Sequence, residues 1–264
     1  MLPDCFSYTA NVLSPDERDA LAELLPGLDY HGNFQGIGLS EPKRWSWCAV
    51  ASFGQWVVAG RRFPLRMPEW PEFLRTVAER AVFPHCPNEP FARCTVARYP
   101  AGNPILGRYA SLSSGRVRAL VLLKPALLKV YSVPRAGTIG SEFMMEPGSL
   151  LVIRGQESPQ YSYWIEPSPG DYDELSYSVP IEVDRESPGV DWSDLADDPM
   201  AKLCWRVGWS VQDLRVLRTQ AAGSEPRYSL FSQEYGRVIE PAVLPPGLIE
   251  ELIAAGVPIE QQSA

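Results

Sequence analysis

The stretch Val96–Ala110, VARYPAGNPILGRYA, decides the fold. Its opening residues complete a strand-like run from Phe91 to Tyr99, and Pro100, Gly102, Asn103, Pro104 and Gly107 then break it, so a strand runs into a turn-rich connection. Downstream, Val117–Lys124, Leu127–Val133, Ser149–Arg154, Gln160–Ile165 and Leu175–Val183 read as further short strands. Pro and Gly clusters separate them at close intervals. That spacing predicts a sandwich or barrel instead of strands joined by helical crossovers.

Upstream, Ser14, Pro15 and Glu17 form a capping signal: a side-chain cap, a proline suited to the first turn, and a glutamate three residues on. The spacing predicts a helix through Leu21, Leu24 and Leu25, stopped by Pro26 and Gly27. A second helix is predicted from Trp70–Pro71 to about Val82, with Phe73, Leu74, Val77, Ala78 and Ala81 on one face. Between them, the aromatic stretch with Trp45, Trp47, Phe53 and Trp56 is broken by Gly54 and Gly60, which favours short strands and turns. Beyond about residue 186 the composition shifts. Glu186–Pro199 is acidic and proline-interrupted and reads as a linker or wrapping loop. Helices are predicted over Met200–Gln220, with a possible capping box at Ser210 and Asp213, and over Leu248–Ala255. The expected organisation is a main unit over 1–185, with a lid and helix region at about 40–90 and a barrel core at 91–185. A partly helical extension follows over 186–264.

Composition narrows the function. With 264 residues, 45% apolar and 21% charged, this is the make-up of an ordinary globular protein. A formal net charge of −8 disfavours a nucleic-acid partner, which needs a basic face. No basic start with an apolar run resembles a signal peptide, and no apolar stretch reaches membrane-spanning length, so the expectation is a cytoplasmic protein without a membrane partner. The five cysteines are widely spaced with no CxxC pair, and the expectation is reduced, mostly buried thiols. Only two histidines occur, His31 and His85, in separate loop-like stretches. Most non-haem iron and catalytic zinc sites need two or three imidazoles.

The stretch Val96–Ala110 resembles the AlkB-like branch of the iron(II)- and 2-oxoglutarate-dependent oxygenases. In that family a strand reading Asn-x-Tyr-x-x-Gly leads into His-x-Asp. Here Tyr99 and Gly102 match, and Ile105 sits where an apolar residue is usual. Val117–Val130 (VRALVLLKPALLKV) is similar to the next strand pair, Glu146–Gly155 (EPGSLLVIRG) to the Gly-Asp-hydrophobic strand, and Gln156–Ile165 to the segment carrying the last iron-binding histidine. The N-terminal helix, Pro42–Arg44, the aromatic stretch and the Trp70–Pro71 helix follow the family's order, so the resemblance covers roughly residues 5–185. It implies a mainly β fold, a double-stranded β-helix of the jelly-roll or cupin kind, with helices packed outside.

The same comparison exposes departures. Arg108 and Ala110 stand at the positions of His-x-Asp, Tyr163 at the distal histidine, and Ala97 at the asparagine. Ser176, Ser178 and Glu182 stand where the family has Arg-x-Asn-x-x-x-Arg. A guanidinium has no lone pair to give a metal, alanine offers no ligand, and a glutamate repels a dicarboxylate. Since no histidine follows His85, a shift of register restores nothing. Neither iron, another metal nor 2-oxoglutarate is therefore expected, and no cofactor.

The resemblance implies a pocket lined by Arg108, Tyr99, Tyr163, Ser176 and Ser178, with Glu182 close by. In one reading Arg108 binds a carboxylate, phosphate or developing oxyanion, Tyr163 or Tyr99 transfers a proton and Glu182 acts as a base. In another Arg108 merely pairs with Glu182 inside a defunct cavity, and in a third it points outward. Tyr109 and Tyr161 are further candidates for ligand contact, as is Glu157 at the mouth, while Trp45 and Trp47 either stack on a ligand or belong to the core. Three functions follow. The first is a metal-independent enzyme performing isomerisation, cyclisation, elimination or condensation on a small molecule, anionic where Arg108 binds its carboxylate or phosphate. The second is an inactive pseudo-oxygenase that binds or scaffolds, and the most distant is an active oxygenase with unusual ligands. Reactive residue types at the replaced positions favour the first, since an abandoned pocket tends to fill with apolar side chains.

Overall fold

The computed structural model describes residues 2–36, 45–56, 65–99, 116–132, 139–155, 161–167, 170, 172–179, 190–195, 214–221, 223–232, 237–239 and 247–262. The chain begins with strand β1 (Phe6–Thr9), helix α1 (Pro15–Leu24), β2 (His31–Gly36), β3 (Trp45–Trp56) and β4 (Leu65–Arg66). Helix α2 (Glu72–Val77) continues through a wider π turn at Ala78–Val82. The barrel strands follow: β5 (Arg93–Tyr99), β6 (Val117–Leu122), β7 (Ala126–Ser132), β8 (Ile139–Met145), β9 (Ser149–Arg154), β10 (Tyr161–Pro167) and β11 (Tyr172–Ser178).

The large sheet runs β1-β9-β6-β11-β5-β3-β4, with β2 also on β3, and the second sheet runs β10-β7-β8. From β6 onward the chain passes to the second sheet for β7 and β8, returns for β9, crosses again for β10 and returns for β11. All these pairings are antiparallel. That winding is a double-stranded β-helix, as the resemblance implies.

Both faces of the central strands of the large sheet are buried, so β6 and β9 read as nearly continuous apolar runs, broken inside β6 by Arg118, instead of alternating ones. One face, with Val96, Ala119, Val121, Leu150, Val152, Leu175 and Tyr177, packs against Leu21, Leu25, Leu74, Val77 and Ala81 of the helices. The other, with Leu120, Leu122, Leu151 and Ile153, meets Leu128, Val130, Met145, Tyr163 and Ile165 of the second sheet. Helix α1 starts where predicted. Ser14 Oγ accepts from the Glu17 N–H at 3.3 Å, and Glu17 Oε2 accepts from the Ser14 N–H at 2.7 Å. Glu17 also pairs with Arg80, tying α1 to the second helix.

Three expectations need correction. The aromatic stretch is one twelve-residue strand, β3, and it continues through Gly54. Gly54 takes φ +82°, and a Cβ there would lie 2.1 Å from the Ala92 carbonyl oxygen and 2.7 Å from Trp70 Nε1. The glycine lets two segments close on the strand without ending it. In the acidic stretch, Val190–Asp191 (β12) pairs in parallel with β4 and leads into a helical turn, α3 (Trp192–Leu195). Further on, Leu214–Thr219 is a strand, β13, and not part of a helix. It pairs with β14 (Arg227–Ser232) and, in parallel, with β16 (Ile259–Gln262), while β15 (Arg237–Ile239) borders β14. Helix α4 (Leu248–Ala254) forms close to the predicted place. Ser210 and Asp213 lie outside the described residues.

Candidate functional site

Strand alternation sorts the side chains that enter the space between the two sheets. On β11, Leu175 and Tyr177 face the helices and Tyr172 faces the barrel, so Glu174, Ser176 and Ser178 face the barrel as well. The same parity turns Arg118 on β6, Arg93 and Thr95 on β5, and Ser52 on β3 inward, beside Leu120, Ala97, Tyr99 and Val50.

Register then groups them into rows across the large sheet. Ser178 lies opposite Arg93 on one side and Arg118 on the other, and Arg93 Nε donates to Ser178 Oγ at 2.8 Å. One step along, Ser52, Thr95 and Ser176 stand side by side on β3, β5 and β11. These three hydroxyl side chains are buried, and Ser52 Oγ has no hydrogen-bond partner among the described residues.

The charged centre is Arg118. Its Nη2 donates to Glu174 Oε1 at 2.5 Å, and its Nη1 donates to Tyr163 Oη at 3.4 Å. The guanidinium thus links the large sheet to β10 of the second. Both charged side chains are nearly removed from water, 11% exposed for Arg118 and 9% for Glu174. Tyr163 is 1% exposed and packs edge-on to Phe6 with ring centroids 5.9 Å apart. Tyr99 and Tyr172 form a tilted pair at 6.1 Å. Burying two ions costs several kcal/mol each before their attraction is counted, so this cluster is the most expensive feature of the described interior.

Of the residues predicted from sequence, Tyr163, Ser178 and Ser176 converge on this interior. Tyr99 lines it and Tyr161 packs at its margin. Trp45 and Trp47 open strand β3, and their side chains lie outside the described residues, as do Arg108, Tyr109, Glu157 and Glu182 entirely. The arginine and carboxylate that the structure brings together are Arg118 and Glu174, neither of which a motif comparison marks. The signal was present: a charged residue inside the apolar strand VRALVL, and a glutamate sharing the parity of two inward serines in YDELSYS.

Of the positions where the resemblance places iron ligands, only Tyr163 is among the described residues; Arg108 and Ala110 lie outside them. At Tyr163 the inward face of β10 presents a phenol to the Arg118 guanidinium, which also engages the Glu174 carboxylate. His85 is exposed on a 3-10 turn at Phe83–His85, while His31 lies on β2, beside β3 in the large sheet. Among the described residues no three His, Cys, Asp or Glu side chains gather into a metal-binding group. Elsewhere the buried thiol of Cys94 is pushed well above its usual value by burial, which suits an inert core residue. No helix among the described residues is long and apolar enough to cross a membrane.

No family model matches the chain, and no curated protein does. Solved structures resemble it distantly. OsALKBH1 is 14% identical with a TM-score of 0.46, the match covering 67% of this chain and 99% of that one. HygX from Streptomyces hygroscopicus, solved with nickel and 2-oxoglutarate bound, is 13% identical at a TM-score of 0.41, covering 66% and 81%. A 2OG-Fe(II) oxygenase family oxidoreductase from Burkholderia pseudomallei is 10% identical at 0.42, covering 66% and 84%.

Proposed function

We propose that this protein is a metal-independent enzyme on an oxygenase-type barrel, acting on a small anionic molecule by proton transfer instead of oxidation. The observation that carries the reading is the convergence of Arg118, Glu174 and Tyr163 inside the barrel. A guanidinium supplies a fixed positive charge for an anionic group. A carboxylate and a phenol beside it are the residue types that accept and donate protons in isomerisation, elimination or condensation. The hydroxyl row Ser52, Thr95 and Ser176 adds neutral hydrogen-bonding positions for the rest of the molecule.

A binding or scaffold role is the second reading. It is favoured by the pairing of Arg118 with Glu174 and by the bulky buried side chains that fill the barrel, Leu120, Leu122, Leu128, Met145 and Tyr172. The two separate by turnover. Purified protein in excess EDTA is incubated with a mixture of small organic acids and followed by NMR. The proposal expects one component to be converted without an added oxidant, and Tyr163→Phe to slow that conversion at least tenfold. Conversion that EDTA abolishes contradicts metal independence. Binding without conversion supports the scaffold reading.

A further inference from the structure

Strand β16 (Ile259–Gln262) lies at one end of the C-terminal sheet and, among the described residues, pairs only with β13, in parallel. All four of its residues are exposed. The ladder fixes which backbone groups stay open. Val216 lies opposite Ile259, and the Val216 N–H donates to the Pro258 carbonyl at 2.9 Å. In such a ladder alternate residues turn their backbone groups to opposite sides. Pro258, Glu260 and Gln262 therefore address β13, while the N–H and C=O of Ile259 and Gln261 point away from the sheet. Among the described residues no strand takes them up.

A row of open backbone groups is a template for another extended chain, and lysine, proline or a bulge normally blunts it. The stretch IEQQ has neither lysine nor proline, and its single charge, Glu260, is drawn to Arg215 at 3.4 Å. Ile259 adds a large apolar side chain that is 45% exposed. The side chains also select the occupant. Gln261 and Gln262 carry amides that both donate and accept, so they complement their own kind. A two-fold axis brings two copies of the strand together antiparallel, and bonds form only where outward residues meet outward residues. Centring the pair on Glu260 sets that carboxylate against its own copy. Centring it on Gln261 sets Gln261 against its copy and Glu260 against the Gln262 amide.

We propose that β16 is a self-association edge: two copies of this chain pair their β16 strands antiparallel about Gln261, joining their four-stranded sheets into one. The contact is small, so the pair is weak and depends on concentration. Each copy carries a formal charge of −8, so the pair strengthens as salt screens their repulsion.

Sedimentation velocity of the full chain from about 5 to about 500 µM, the range in which a small interface fills, tests the pairing. The expected result is a monomer that becomes a dimer across that range, and at lower concentration when salt is raised. Gln261→Pro removes one outward N–H and spares every bond to β13, so it should abolish the dimer and leave the thermal midpoint near that of the wild type. Two further variants read the register. Gln262→Lys sets an ammonium against the second copy's Glu260 and should tighten the dimer about tenfold, while Gln262→Glu should loosen it about tenfold. A chain that stays monomeric at the highest concentration overturns the proposal and leaves the edge to a strand of another protein. A dimer indifferent to Gln261→Pro overturns it too, as does one on which the two charges at position 262 act alike. If Gln261→Pro does not fold, the opposed responses at position 262 decide alone.

Discussion

Arg118 takes a permanent charge into the barrel on a strand whose other residues are apolar, and Glu174 is what makes that tolerable. The pair therefore has an asymmetric energetics. Removing Glu174 leaves the Arg118 guanidinium buried without its carboxylate, at a cost of about 3–5 kcal/mol, whereas replacing both with apolar residues of similar volume is close to neutral. Glu174→Leu alone should lower unfolding free energy by about that amount, and adding Arg118→Met should recover most of it. Urea denaturation of the two single variants and the double one measures this as a cycle. Equal and additive losses would show that the charges do not depend on each other. This centre was only partly legible in the sequence. Tyr163, Ser176 and Ser178 follow from the collinear resemblance of whole strands. Arg118 and Glu174 are 56 residues apart and stand four positions out of register, since Glu174 lies opposite Leu122. They meet only through side-chain length, which no one-dimensional pattern records.

Among the elements, helix α1 and strand β3 show the two ways local sequence fixes this fold. The α1 cap is readable because all its parts lie within four residues. The backbone N–H of Ser14 is the first cause that holds the Glu17 carboxyl below its ordinary value of 4.5. A carboxyl depressed in the folded state stabilises it above the unfolded value, and that contribution disappears as pH falls through the folded one. Stability should thus decline on acidification from pH 5 to pH 3, and Glu17→Gln should shrink the decline; an unchanged acid limb in the variant contradicts the assignment. Strand β3 was legible only as extended chain, because Gly54 reads as a break when considered alone. Its role depends on the Ala92 carbonyl and Trp70, which come from other elements. Gly54→Ala should cost more than the roughly 1 kcal/mol of an ordinary backbone change, with the loss read from the urea midpoint. Strand β13 illustrates the opposite error. Leu and Arg are good helix formers, so LRVLRT suggests a helix, yet pairing on both edges with β14 and β16 decides for a strand.

At the scale of the whole molecule, two sheets wound as a double-stranded β-helix enclose a polar centre, while helices seal the outer face of the larger sheet. The central strands were legible because both their faces are buried, which writes them as apolar runs between turn residues; their winding was legible only through the collinear resemblance of whole strands. The strands of mixed composition were not: β8, IGSEFMM, borders the second sheet and carries the exposed Met144. The central claim is that this barrel works without iron, with Arg118 and its partners at the centre of its interior. Its most direct measurement is the conversion of 2-oxoglutarate to succinate by the purified protein supplied with iron(II), ascorbate and oxygen. The account predicts no succinate above a protein-free control and no stoichiometric iron after desalting. Succinate formed in proportion to protein, with iron retained, would contradict it.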